Sequence, residues 1–102
     1  MRINKPSFGT RFILVSDVQQ PLPPTIFGGG RWELIGVAQR GFREYAAIRM
    51  MGTDKVYLEE VDGKDPNLFK RIEDDELWKD LQEFFRAAGI FHMDGEKKRA
   101  TE

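Results

Sequence analysis

The chain predicts a single α+β domain, an antiparallel, meander-like sheet of four or five strands with one C-terminal amphipathic helix packed on one face. Three observations carry this expectation. Residues 73–90 place Leu77, Trp78, Leu81, Phe84, Phe85 and Ala88 on one face at a period of about 3.6, with Lys79, Asp80, Gln82, Glu83 and Arg86 opposite. Upstream, apolar segments of strand length alternate with turn-forming Gly, Pro and Asp. A length of 102 residues fits one domain with one core.

Residues 1–9, with Pro6 and Gly9, form a leading arm in which residues 2–4 can add a short edge strand. Residues 10–18 are the first strand. Its run Phe12, Ile13, Leu14, Val15 is continuously apolar, the pattern of a strand covered on both faces, which predicts a central place in the sheet. Residues 19–30 hold three prolines and three glycines and read as a long loop without regular pairing. That loop is expected to cross between non-neighbouring strands, with Ile26 and Phe27 tucked over the edge of the core. Its Pro21 and Pro24 have PxxP spacing but lack the flanking basic residue of a polyproline ligand. The triple glycine leads into a strand instead of the helix N-terminus that a phosphate cradle needs.

Residues 31–39 and 42–51 are two antiparallel strands joined at Arg40 and Gly41. Along the second, Phe42, Glu44, Ala46, Ile48 and Met50 share the face read as core, and Arg43, Tyr45 and Arg49 share the face read as solvent-exposed. A turn at residues 52–54 leads to a strand at 55–61. Turn residues 62–67 follow, without the ligand spacing of a calcium loop, and residues 68–72 are a fifth strand feeding the helix. Asp74 is the N-cap, Asp75 and Glu76 favour the helix dipole, and Gly89 is the glycine of a Schellman stop against which Ile90 folds back. Residues 91–93 complete a domain spanning residues 1–93, and the charged segment 94–102 reads as a frayed tail.

With 40% hydrophobic and 32% charged residues, the composition is that of a soluble globular protein. No apolar run approaches the ~20 residues of a membrane helix, and the N-terminus lacks a signal-peptide pattern, so a cytoplasmic location without membrane contact is expected. The chain has no cysteine, which removes disulfides, thiolate metal sites and cysteine nucleophiles. Residues 1–52 hold seven Lys/Arg and three Asp/Glu, whereas residues 53–102 hold nine and fourteen, a bipolar distribution suited to orienting a partner.

No catalytic residue, metal site or cofactor is assigned. His92 is the sole histidine and reads as a partly buried structural residue; Ser7 and Ser16 lie in no nucleophile elbow. Glu59 and Glu60, adjacent in a strand, point to opposite faces and make a poor acid/base pair. Glu44, on an apolar strand face, calls for Arg31, Arg40 or Arg71 as a partner.

These observations point to a non-enzymatic interaction module, a homo-oligomer (dimer) or one meeting a protein partner, which uses an open sheet face or edge. The candidate contact residues are Arg40, Arg43, Tyr45, Arg49, Tyr57, Trp32 and Glu44. One alternative is a small-ligand-binding protein or metal-independent enzyme, its pocket lying between sheet and helix, gated by residues 19–30 and lined by Trp32, Tyr45 or Trp78 near Glu44. Another is single-stranded nucleic-acid binding, with bases stacking on the Arg/Tyr face.

Overall fold

A computed structural model describes residues 11–22, 31–64 and 69–92. Six strands, β1 (Ile13–Ser16), β2 (Gln20–Pro21), β3 (Trp32–Arg40), β4 (Arg43–Met50), β5 (Val56–Val61) and β6 (Phe69–Arg71), precede one helix, α1 (Asp75–Ala87). Every pairing is antiparallel and the order is β1-β3-β4-β5-β6, with β2 also paired to β3. The protein is an α+β fold with an open antiparallel sheet and one C-terminal helix. The arm at residues 1–9, the charged tail at 94–102, Met93, and Ile26 and Phe27 of the Pro/Gly loop lie outside the described residues.

Three expectations about strand order are corrected. Gln20 and Pro21 do pair, opposite Leu34 and Glu33, although residues 19–30 read as wholly unpaired. An edge position explains this, because the missing proline N–H leaves no ladder bond unmade there. The expected crossover is also absent: β4 occupies one side of β3 along its length, so β1 and β2 follow one another down the other side. Finally, β1 is not central among the described strands. It ends the order of described strands, and its apolar side chains face outward.

Local chemistry sets the turns. Arg40 pairs with Arg43, so Gly41 and Phe42 form a two-residue hairpin loop in which Gly41 takes φ +65°, the positive value a type II′ turn requires at its first position. The β4–β5 turn is closed by Thr53, whose hydroxyl donates to the Met50 carbonyl at 2.8 Å and accepts from Lys55 N–H at 3.1 Å.

A bulge interrupts β3 between Leu34 and Gly36, which pair with Ile48 and Ala47 respectively. The extra residue, Ile35, joins the core beneath α1. Gly36 lies under the helix terminus. A Cβ there would sit 3.1 Å from Ile90 Cγ2 and 3.3 Å from Phe85 Cε1, so a larger residue would force these side chains to shift.

Both predicted helix caps form. Asp74 accepts hydrogen bonds from Glu76 N–H at 3.0 Å and Leu77 N–H at 3.2 Å. At the other end Gly89 adopts φ +80°, and Gly89 N–H and Ile90 N–H donate to the carbonyls of Arg86 and Phe85, the two bonds of a Schellman stop. Leu81 and Phe85 are fully buried, while Ala88, expected on the packed face, is exposed.

The sheet has two cores. Beneath α1 lie Ile35, Ala38, Tyr45, Ala47, Val56, Leu58, Ile72, Leu81, Phe85 and Phe91. On the opposite face Trp32, Ala46, Ile48 and Tyr57 form a second cluster flanked by Leu22, Leu34, Met50, Val61 and Phe69. The centre of that second face is therefore closed as well.

Candidate functional site

The predicted Arg/Tyr row on β4 is not a solvent-exposed face. Because Tyr45 pairs with Ala38 and Ala47 pairs with Leu58, this row points toward α1 and not away from it. Tyr45 is buried and meets Phe12 edge-to-face with ring centroids 5.9 Å apart. Phe12 in turn packs on Phe84 at 5.5 Å and carries the Arg40 guanidinium 4.8 Å above its ring. Arg43 reaches across to Glu60 on β5 at 3.5 Å, and its own side chain is largely exposed, so the pair contributes well under ~1 kcal/mol. Arg40, Arg43 and Tyr45 thus come together, with Glu60, as a polar rim closing one end of the helix-side core.

Burial raises the Tyr45 pKa above its ordinary value of 10.0; Glu60 adds to the rise, and Arg40 and Arg43 oppose it. The folded state consequently holds the phenolic proton more tightly than the unfolded chain, so this contribution to stability is present below about pH 10 and lost as pH rises beyond it. Denaturation followed from about pH 9 to 11 should show a steeper loss for the wild type than for Tyr45→Phe. Parallel pH profiles would exclude this assignment.

The other candidates scatter. Arg49, at the far end of the same row, donates to Glu33 at 2.6 Å, while its Nε is buried without a hydrogen bond. Trp32 and Tyr57 lie on the opposite face and pack edge-to-face at 5.4 Å. Glu44 is exposed at the sheet end, beside an open depression of about 390 Å³ formed by Phe42, Arg43, Glu60 and Asp62. Since Trp32 and Tyr45 occupy opposite faces, they do not line one pocket, and no continuous Arg/Tyr platform for stacked bases exists on either side among the described residues. His92 is exposed, not partly buried, on the rim of a cleft of about 200 Å³ beneath the helix terminus.

Among the described residues, the exposed apolar surface concentrates at β1. Of the six exposed large apolar residues among those described, four lie in or just after this strand: Ile13 (61% exposed), Leu14 (36%), Val15 (51%) and Val18 (63%). Phe42 (91%) stands on the β3–β4 loop. That loop lies at the Phe12 end of β1, because Ile13 pairs with Gln39 and Phe12 contacts Arg40.

No family model, curated protein or solved structure matches this chain.

The edges differ in chemistry. β6 is three residues long and carries Lys70 and Arg71, a short charged strand of the kind that resists further pairing, and β2 carries Pro21. Between Ile13 and Ser16, β1 has neither charge nor proline. The exposed apolar residues missed in the sequence are therefore Ile13, Leu14 and Val15. Their signal was present as the uncharged run between Arg11 and Asp17, but that run was read as a strand covered by its own chain.

Proposed function

We propose that the chain is a non-enzymatic interaction module that self-associates, taking an extended strand of another copy of itself along β1 and continuing its sheet across the contact. The supporting observation is the contrast between edges: β1 exposes Ile13, Leu14 and Val15, while β6 presents Lys70 and Arg71. Edge N–H and C=O groups that are unpaired among the described residues supply ladder hydrogen bonds, and the apolar side chains supply the area that makes such pairing favourable in water.

Sedimentation velocity of the intact chain tests this reading. Assembly is expected for the wild type, and Ile13→Lys should weaken it by roughly two orders of magnitude, since burial of about 1.5 kcal/mol of apolar side chain is lost on each side of the contact. At concentrations too low for assembly both proteins should melt alike, because substitutions at exposed positions shift stability by no more than about 0.5 kcal/mol. A wild type that remains a monomer, or an assembly indifferent to Ile13→Lys, would exclude β1 as the contact.

A further inference from the structure

We infer that the strand β1 takes up is β1 of a second copy of this chain, antiparallel to the first about a two-fold axis at Leu14. This rests on the edge reading above and adds which strand of the second copy is taken up and in what register. Arg11 and Asp17 stand at equal distances on either side of Leu14, and both are exposed. Antiparallel pairing centred on Leu14 sets Leu14 against the partner's Leu14, Ile13 against the partner's Val15, Phe12 against the partner's Ser16, and Arg11 against the partner's Asp17. The segment is complementary to itself in charge as well as in apolar character.

Other registers lose that match. An axis at Ile13 sets Arg11 against the partner's Val15, and parallel pairing stacks Arg11 on the partner's Arg11 and Asp17 on the partner's Asp17, which is unfavourable. Among the described residues neither Arg11 nor Asp17 forms a hydrogen bond or ion pair within its own chain, so both are available. A bulge between Leu14 and Ser16 keeps the ladder short and leaves the flanking charges to set the register. The same arrangement brings the partner's Val18 to the end of β1 where Phe42 stands exposed. Two-fold pairing also closes the assembly as a dimer, since each copy uses the same strand and the charged β6 edges remain outermost.

Two experiments on the full chain test the inference. Arg11→Asp and Asp17→Arg should each weaken self-association about tenfold or more, because two facing charge pairs become like-charged. An equimolar mixture of the two variants should restore a dimer, now of one copy of each. In that pair a strand with two acidic ends lies against a strand with two basic ends, so opposite charges face one another at both ends of the contact. Leu14→Cys, in a chain otherwise free of cysteine, should oxidise to a linked dimer, since directly opposed residues place their Cα atoms about 4.5–5.5 Å apart, within disulfide reach. Lys70→Cys on β6 should not. If Ile13→Lys abolishes assembly while charge reversal, mixing and Leu14→Cys have no effect, the paired strand and the register are wrong and the edge reading stands. If the wild type does not assemble, both fall.

Discussion

Replacing Phe85 with alanine is expected to destabilise the protein by about 3–5 kcal/mol, a large part of the ~5–15 kcal/mol that holds a domain of this kind together. Phe85 is fully buried, and its ring contacts Phe84 at 5.8 Å and Phe91 at 6.5 Å between centroids. The void left behind cannot readily collapse. Its walls belong to α1, to the bulged stretch of β3 and to the segment after Gly89, and that segment is held in place by the bond from Ile90 N–H to the Phe85 carbonyl. Urea denaturation monitored by tryptophan fluorescence measures the loss, with Met51→Ala as the exposed control expected to stay within about 0.5 kcal/mol of wild type. A Phe85→Ala loss below ~1 kcal/mol would mean that α1 is not clamped to the sheet as described.

Gly36→Val is expected to cost about 1–3 kcal/mol by overpacking. A Cβ at this site already comes within 3.1–3.3 Å of Ile90 and Phe85 side-chain atoms, and valine adds two methyl groups beyond it. Ile90 is only partly buried and can yield, whereas Phe85 is fully enclosed and cannot. The substitution therefore pushes the helix terminus off the bulge instead of being absorbed. A double-mutant cycle identifies the contact. Ile90→Ala alone removes packing, yet in the Gly36→Val background it should recover part of the loss, giving a coupling of about 0.5 kcal/mol or more. Strictly additive losses would place the strain elsewhere.

Much of the fold was readable from local chemistry. The helix boundaries follow from Asp74, which satisfies first-turn N–H groups, and from Gly89, which turns left-handed without a Cβ penalty; both act within a few residues of themselves. The hairpin at Gly41 and the strands on either side of it are local in the same sense. The pairing of Gln20 and Pro21 was hidden because proline count measures the donors a strand lacks, and an edge strand does not need them all.

The candidate site was far less legible. An alternating pattern shows that Arg43, Tyr45 and Arg49 share one face of a strand, yet says nothing about whether the helix packs there. Ala46 and Ile48 made the opposite face look like the core, and both faces proved buried at their centres. The buried carboxylates were misplaced for the same reason. Glu44 drew attention from its apolar neighbours, while the structure buries Glu33 against Arg49 and also Glu59, which pairs with Ala46 on the face opposite α1.

By itself the sequence determined the class of the fold, the ends of its helix, its hairpin turns and the set of residues on each strand face, because each depends on interactions spanning a few positions. Only the tertiary structure decided which face meets α1 and where β1 stands in the sheet. The run Phe12 to Val15 is equally apolar whether its own chain covers it or another molecule must, since the cost of exposing Ile13 and Val15 to water is the same in both cases. The pairing of β3 with β4 on one side and with β1 on the other leaves β1 at the edge of the described sheet, and that placement turns a predicted core strand into an exposed one.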